Sequence, residues 1–383
     1  MDRQNIVKLF LEKGFQLEPS LLEYLESNPK FINKLLDNLE AFKGQTTLTL
    51  DVLQDIEEKD VEIVKVYKRQ PNRLSTNDVV TLLKNRYEKL SQILLRRLDL
   101  GKVISINRIK PSLKNFSIIG LVREKNEAQL SMIVEDTTGE REIFFQTNLE
   151  NDYRFIFLDD VLAFSSELVD DRVIVKKVIY PDIPLKREIA RTEEDLYCVF
   201  LSDVCMSNKK YLENFLKWFE EWRTKPLIIF IISCASNKED LENFLNKIRY
   251  QNIYIVNNSN VSRGTYKLED PCVVNIKGVT IFLTHGDMFK KYVEQTKTSI
   301  EETCLYLLKE RHVNPTIDLQ EVDLKDNFLL EEVPDIFVCG HSNKPSYLNY
   351  KGTTIVSCGD FINMPIFWSI NLRTREIFKI DFT

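Results

Sequence analysis

Asp203, His285 and His341 stand where chemistry is usually placed, each directly after an apolar run. Their surroundings are Leu201-Ser202-Asp203-Val204-Cys205, Thr284-His285-Gly286-Asp287 and Cys339-Gly340-His341-Ser342-Asn343. Two more polar clusters follow apolar runs in the same way, Ser233-Cys234-Ala235-Ser236-Asn237 and Val256-Asn257-Asn258-Ser259-Asn260. Carboxylates and neutral imidazoles hold borderline divalent ions, and thiolates hold soft ones. An imidazole beside an amide can position and protonate a leaving oxygen. Taken singly, a strand-ending Asp or His is a turn former or a satisfied loop residue. Five clusters in order are a joint signal for one site.

The elements that must position these clusters alternate. Residues 197–201, 227–233, 253–256, 272–276, 280–284, 335–339 and 353–357 read as strands, with helices at 210–222 and 238–250 between the first three. Such alternation implies an α/β domain with a parallel or mixed sheet, whose ligand site lies beyond the carboxyl ends of the strands. Ahead of it, residues 102–109, 117–123, 129–135, 142–146, 161–164 and 172–178 are short β-rich runs separated by turns such as Asp136-Thr137-Thr138-Gly139. That many strands in so short a stretch predict a small antiparallel barrel of the OB type. No ladder of exposed aromatics flanked by lysines marks it as a single-strand binder. Further upstream, Phe31, Ile32, Leu35, Leu36, Leu39 and Phe42 recur at helical spacing, and Gly44 ends that helix. A charged stretch at 57–72 reads as a linker, after which residues 75–78 supply capping groups for a long amphipathic helix. The expected organisation is a helical module at 1–55, linker and amphipathic helix at 56–99, the barrel at 100–183 and the α/β domain at 190–383.

The order of the five clusters resembles the calcineurin-like phosphodiesterase family, whose metal motifs run Asp-x-His, Gly-Asp, Gly-Asn-His-Asp, His-Gly and Gly-His-x-His. More narrowly, FLSDVCMSNKKYLENFLKWFEEW at 200–222, LKERHVNPT at 308–316 and VPDIFVCGHSNKPSYLNYKGTTIVSCGDF at 333–361 resemble the small subunit of the archaeal family D DNA polymerases. The resemblance implies a multidomain α+β chain: an N-terminal helical module, an OB-type barrel, then an α/β calcineurin-like metallophosphodiesterase sandwich. In the active family, two divalent ions (manganese, iron or zinc) are bridged by an aspartate and activate a water for attack on phosphorus. Carried over by motif, Asp203, Asn258, His285 and His341 keep family residues. Cys205 replaces a His, Cys234 the bridging Asp, Ser259 a His, Asn260 an Asp and Asn343 the final His. Without the bridging carboxylate, two dications at that spacing repel with nothing to offset them.

The expected site is therefore vestigial, with no catalytic residue active and no metal bound. If one zinc were held, its ligands would come from Asp203, Cys205, Cys234, His285 and His341. The bland alternative has Asp203 capping the next helix, with both histidines hydrogen-bonded to nearby strand-end backbone. Gly286, Gly340 and Gly359 are expected where a turn needs positive φ or backbones approach closely. The function that follows is a non-catalytic subunit bound to the large catalytic subunit of a DNA polymerase. DNA would be met mainly through that complex, and the sliding clamp through the holoenzyme. Two other readings are a 3′–5′ proofreading exonuclease with a remodelled metal site and a free-standing binding or regulatory protein.

Composition is consistent with this. The net charge of −6 argues against a protein that grips nucleic acid over most of its surface, and three histidines cannot furnish the usual ligand set of a two-metal enzyme. Seven cysteines without a CxxC pair exclude a zinc ribbon and give no disulfide spacing. The longest apolar run, PLIIFIISCA at 226–235, is about half the ~20 residues a membrane helix needs, and the first residues lack a signal-peptide core, so a cytoplasmic address without membrane contact is expected.

Overall fold

A computed structural model describes residues 3–42, 44–50, 52, 61–67, 75–204, 209–233, 238–248, 250, 252–256, 266–317, 326–342, 344–361 and 363–383. The fold is mixed α+β with several sheets, and the chain divides into two units, Met1–Glu62 and Ile63–Thr383. In the first unit lie α1 (Arg3–Leu11), β1 (Gln16–Leu17), α2 (Pro19–Ser27), α3 (Lys30–Asp37) and β2 (Thr47–Leu48), the two strands pairing in parallel. Ile6, Phe10, Leu21, Leu25, Ile32, Leu35 and Leu48 fill its core. The helix expected to run through Phe42 stops at Asp37, and a 3₁₀ turn, Leu39–Phe42, takes its place. Asn38 leaves the helical conformation there, and its N–H bonds the Leu35 carbonyl in the tighter i→i−3 pattern.

The second unit begins within β3 (Val61–Val66), a strand inside the stretch read from sequence as linker. It lies at a sheet edge, where Ile63 and Val64 remain half exposed, so its apolar alternation was diluted by Glu62 and Lys65. Next comes α4 (Thr76–Leu95), opened by a capping box between Ser75 and Asp78. Its buried stripe of Leu82, Leu83, Leu90 and Leu94 packs on Ile119, Leu121, Val161 and Ile179. Each of these leucines stabilises the contact by roughly 2 kcal/mol when fully buried.

Those partners belong to a closed five-stranded barrel made of β4 (Asn115–Asn126), β5 (Ser131–Asp136), β6 (Gly139–Phe145), β7 (Val161–Val169) and β8 (Arg172–Ile179), with α5 (Glu150–Arg154) between β6 and β7. Bulges at Val122/Glu124 and Ser165/Ser166 supply local bends that help the sheet close. Residues 102–109, expected as a strand, make one bridge from Val103 to Ser117 and then a 3₁₀ turn, Ile106–Arg108. The β5–β6 turn captures this segment: Asp136 accepts the N–H of Ile106 and Thr138 that of Asn107, so those groups are lost to any ladder.

The remainder builds two six-stranded sheets. The first contains β9 (Tyr197–Ser202), α6 (Lys209–Trp222) as crossover, β10 (Leu227–Ile232), α7 (Lys238–Ile248), β11 (Ile253–Val256) and β12 (Tyr266–Leu268), in the order β12-β11-β10-β9, all parallel. The second contains β13 (Cys272–Ile276) and β14 (Val279–Thr284), followed by α8 (Lys290–Thr296) and α9 (Ile300–Glu310), then β15 (Ile336–Ser342), β16 (Ser346–Tyr350) and β17 (Thr353–Gly359), with order β16-β17-β15-β14-β13-β3. The chain returns to the first sheet as β18 (Ile366–Asn371) and β19 (Ile377–Asp381), antiparallel additions beside β9. Strands β15 and β17 contact β9, which brings the carboxyl ends of both sheets together. Runs such as LIIFII in β10 are buried on both faces: alternate residues meet α6 and α7, and the others lie toward the second sheet. No helix among the described residues is long and apolar enough to cross a membrane.

Candidate functional site

Asp203 closes β9 in a left-handed conformation (φ 48°), its N–H donating to the Ile232 carbonyl at 2.9 Å. His285 follows β14, and its N–H donates to Asp270 at 3.0 Å. His341 lies in β15, also left-handed (φ 52°), with its N–H donating to the Ser202 hydroxyl at 3.0 Å. Left-handed backbone at residues other than Gly costs on the order of 1 kcal/mol each, and such strain tends to cluster at sites. Two glycines let the strand ends meet. A Cβ on Gly340 would lie 2.7 Å from Ser202 Oγ and 2.9 Å from Ile232 Cγ2, and one on Gly286 (φ 98°) would lie 2.5 Å from Cys339 Sγ.

The three side chains converge. His285 Nε2 is 3.1 Å from Asp203 Oδ1, and His341 Nδ1 is 2.9 Å from Asp203 Oδ2. Ser202 Oγ donates to Asp203 Oδ2 at 3.1 Å. On its other side His285 Nδ1 lies 2.9 Å from Asp287 Oδ2, so the ring is held between two carboxylates. Burial pulls the His285 pKa down, but the hydrogen bond and charge of Asp203, reinforced by Asp287, outweigh it and the pKa is raised. That arrangement suits an imidazolium, both ring nitrogens donating. Asp203 and His285 are buried, while the His341 side chain is 42% exposed and is the group a solute could touch. It borders a hollow of about 340 Å³ also lined by Lys290, Ser299, Ile300 and Lys344.

Asp203, His285 and His341 are the one set of three potential metal-ligating residues among the described residues, their ligand atoms all within 4.8 Å of one another. They offer one carboxylate and two imidazoles, enough donors for a single ion. By themselves these three side chains do not make up a two-metal centre, which needs a bridging acid and ligands for a second ion. Cys205, Cys234, Asn258, Ser259, Asn260 and Asn343, the other residues singled out in the sequence, lie outside the described residues. The described cysteines 198, 272, 304, 339 and 358 are buried. Burial pushes the thiols of Cys272, Cys339 and Cys358 up, away from the reactive thiolate. Ser202, Asp270 and Asp287 also belong to the site. Asp287, two residues beyond His285, was within reach of the sequence signal, whereas Asp270 is brought in only by the fold.

The third histidine does different work. His312 Nε2 lies 2.8 Å from Asp326 Oδ1, and Asp326 also takes a bidentate Arg86. Arg86 further donates to the carbonyls of Asp159 and Pro315, tying α4 to the segment after α9. Within LKERHVNPT, Arg311 donates to the Leu330 and Glu331 carbonyls, and Asn314 accepts from Tyr292. The motif that carried much of the family resemblance is thus an internal scaffold.

No protein-family model matches the chain. Curated proteins do. The chain is 21% identical to the DNA polymerase II small subunit of Archaeoglobus fulgidus over 93% of its own length and 91% of that protein. It is 26% identical to the one from Pyrococcus furiosus over 72% of its length, spanning 57% of that longer chain. The chain is a relative of the archaeal DNA polymerase II small subunits. Among solved structures, an archaeal phosphodiesterase aligns with 49% of this chain and all of its own, at 11% identity and a TM-score of 0.32. Asp203, His285 and His341 are thus the described acid and imidazoles at the strand ends of a chain related to those archaeal small subunits.

Proposed function

We propose that the chain is a non-catalytic small subunit of a replicative DNA polymerase, holding and stabilising a large catalytic subunit on the surfaces of a retired phosphodiesterase. The observation that carries this reading is that both oxygens of Asp203 are taken by the two imidazoles. One acid shared by two histidines supports a hydrogen-bonded structural knot in place of a working hydrolytic centre. Relatedness to proteins called small subunits of DNA polymerase II supports the partner. The vestigial site then comprises Asp203, His285 and His341 with Cys205, Cys234, Asn258, Ser259, Asn260 and Asn343.

The same reading assigns 100–183 as an OB-type barrel and 190–383 as a calcineurin-like sandwich, after a helical module at 1–55 and a connecting stretch at 56–99. For the barrel, support comes from the closed order β4-β5-β6-β8-β7, from parallel pairing of β6 with β8 and from the helix between β6 and β7. DNA and the sliding clamp are reached through the complex, in the cytoplasm.

Metal content of the purified chain by mass spectrometry, a 3′–5′ exonuclease assay with added manganese, and co-elution with the large subunit test the proposal together. Co-elution without digestion is the expected result. Two metals per chain with digestion abolished in Asp203→Ala would overturn it.

A further inference from the structure

Outside the strand-end site, the seam between the barrel and α9 contains two acids buried with little to satisfy them. Glu310, at the end of α9, is 1% exposed, and neither of its carboxylate oxygens has a hydrogen-bond partner among the described residues. Asp160, just before β7, is 2% exposed; its Oδ2 accepts the Phe157 N–H at 2.6 Å, while Oδ1 has none. The two side chains lie within hydrogen-bonding reach of each other. Two ionised carboxylates cannot donate to one another, and burying both uncompensated charges would be prohibitive. A single proton removes the difficulty, since a neutral carboxyl donates to its ionised neighbour.

We infer that Asp160 and Glu310 form a buried proton-binding site, in which Glu310 keeps its proton at neutral pH and donates it to Asp160 Oδ1. The bond then fastens the barrel to α9 and makes that joint sensitive to pH. The charges facing the pair fit one retained proton. Lys125 on β4 comes closest to a counter-ion, its ammonium pinned by the carbonyls of Tyr153 and Ile156 at 3.0 and 2.6 Å. Arg86 of α4 acts on Asp160, and Lys309 of α9 acts on Glu310. Tyr180 beyond β8, Tyr292 of α8 and Tyr306 of α9 surround the pair as neutral phenols, and Asp152 of α5 adds a negative field on Tyr180 and Tyr306. Arg86 is paired with Asp326 and Lys309 sits over the Tyr306 ring, which leaves the Lys125 ammonium against one shared negative charge and the innermost group neutral. Burial first, and then the charge and hydrogen bond of Asp160, favour Glu310 keeping the proton.

The sign follows from linkage. A carboxyl whose folded pKa is raised gives stability fully present below its unfolded value, near pH 4, and lost as pH rises toward the folded value. The test uses the full chain at pH 6.5–8, comparing wild type with Glu310→Gln, whose amide donates to Asp160 at every pH. The wild-type thermal midpoint should fall relative to the variant as pH rises. Unfolding at pH 7 should release about one proton more from wild type, read by calorimetry in buffers of different ionisation enthalpy. Difference infrared spectroscopy should show a protonated-carboxyl band at pH 7 that Glu310→Gln lacks. Should that variant fail to fold, Asp160→Asn serves, its amide donating to an ionised Glu310 and removing the same band. Parallel midpoint curves, or no protonated-carboxyl band in the wild type, overturn the inference.

Discussion

Asp203 is satisfied by His285, His341 and Ser202 at once, so removing its carboxylate strands two imidazoles, one of them buried. Deleting one member of a buried ionic pair typically costs 3–5 kcal/mol, because the partner keeps its desolvation penalty. Asp203→Ala should therefore destabilise the chain by about 3 kcal/mol in denaturant unfolding; a change below about 1 kcal/mol would mean the knot has no structural role. These three residues were legible in the sequence because each ends an apolar run, and strand ends are where sites are built. Asp160, Glu310 and Arg86 were not. A single charged residue among apolar ones reads as a solvated face, and only tertiary contact reveals that Glu310 has turned inward against the barrel.

At the scale of elements, α4 is joined to the loop after α9 by the chain Arg86–Asp326–His312. Burial, with the nearby Arg86 charge, lowers the His312 pKa to about 4, while Asp326 and its hydrogen bond oppose the shift. The neutral ring donates from Nε2 to Asp326 and accepts the Asn314 N–H at Nδ1. A histidine with a depressed folded pKa gives stability that is present above its unfolded value near 6.5 and is lost as pH falls to the folded value. Full protonation linkage over that window amounts to about 3 kcal/mol. His312→Gln should flatten the stability profile between pH 6.5 and 4, measured as urea midpoints. An unchanged slope would place the acid sensitivity elsewhere. The carboxyl pair at Glu310 runs in the opposite sense over the same range, so single variants, and not the wild-type profile, separate the two. The helix carrying Arg86 was readable from Ser75 and its leucine stripe, as were the parallel strands with their uninterrupted apolar runs. Strands β3, β12, β16 and β19 escaped because they lie at sheet edges, where an exposed face mixes polar residues into short runs; β18, buried on both faces inside its sheet, escaped as well.

For the whole molecule, the division into two units makes a stability statement. Among the described residues, the first unit's core runs from Ile6 to Val52, and the clusters of the second unit are built from Tyr67 onward. A unit of that size buries a smaller fraction of its surface than the larger one, so it should open under milder conditions. Unfolding of the full chain is then not a single two-state event, and one free energy does not describe it. Calorimetry should resolve a minor early transition followed by a major one. Deleting residues 1–60 should abolish the first and leave the midpoint of the second unchanged, since no buried residue of the later clusters is removed. A shift of the major midpoint by the equivalent of more than about 1 kcal/mol would mean that the two units stabilise each other. The same truncated chain should still co-elute with the large subunit if the barrel and the sheets supply the docking surfaces, whereas loss of co-elution with an intact major transition would assign that contact to the first unit.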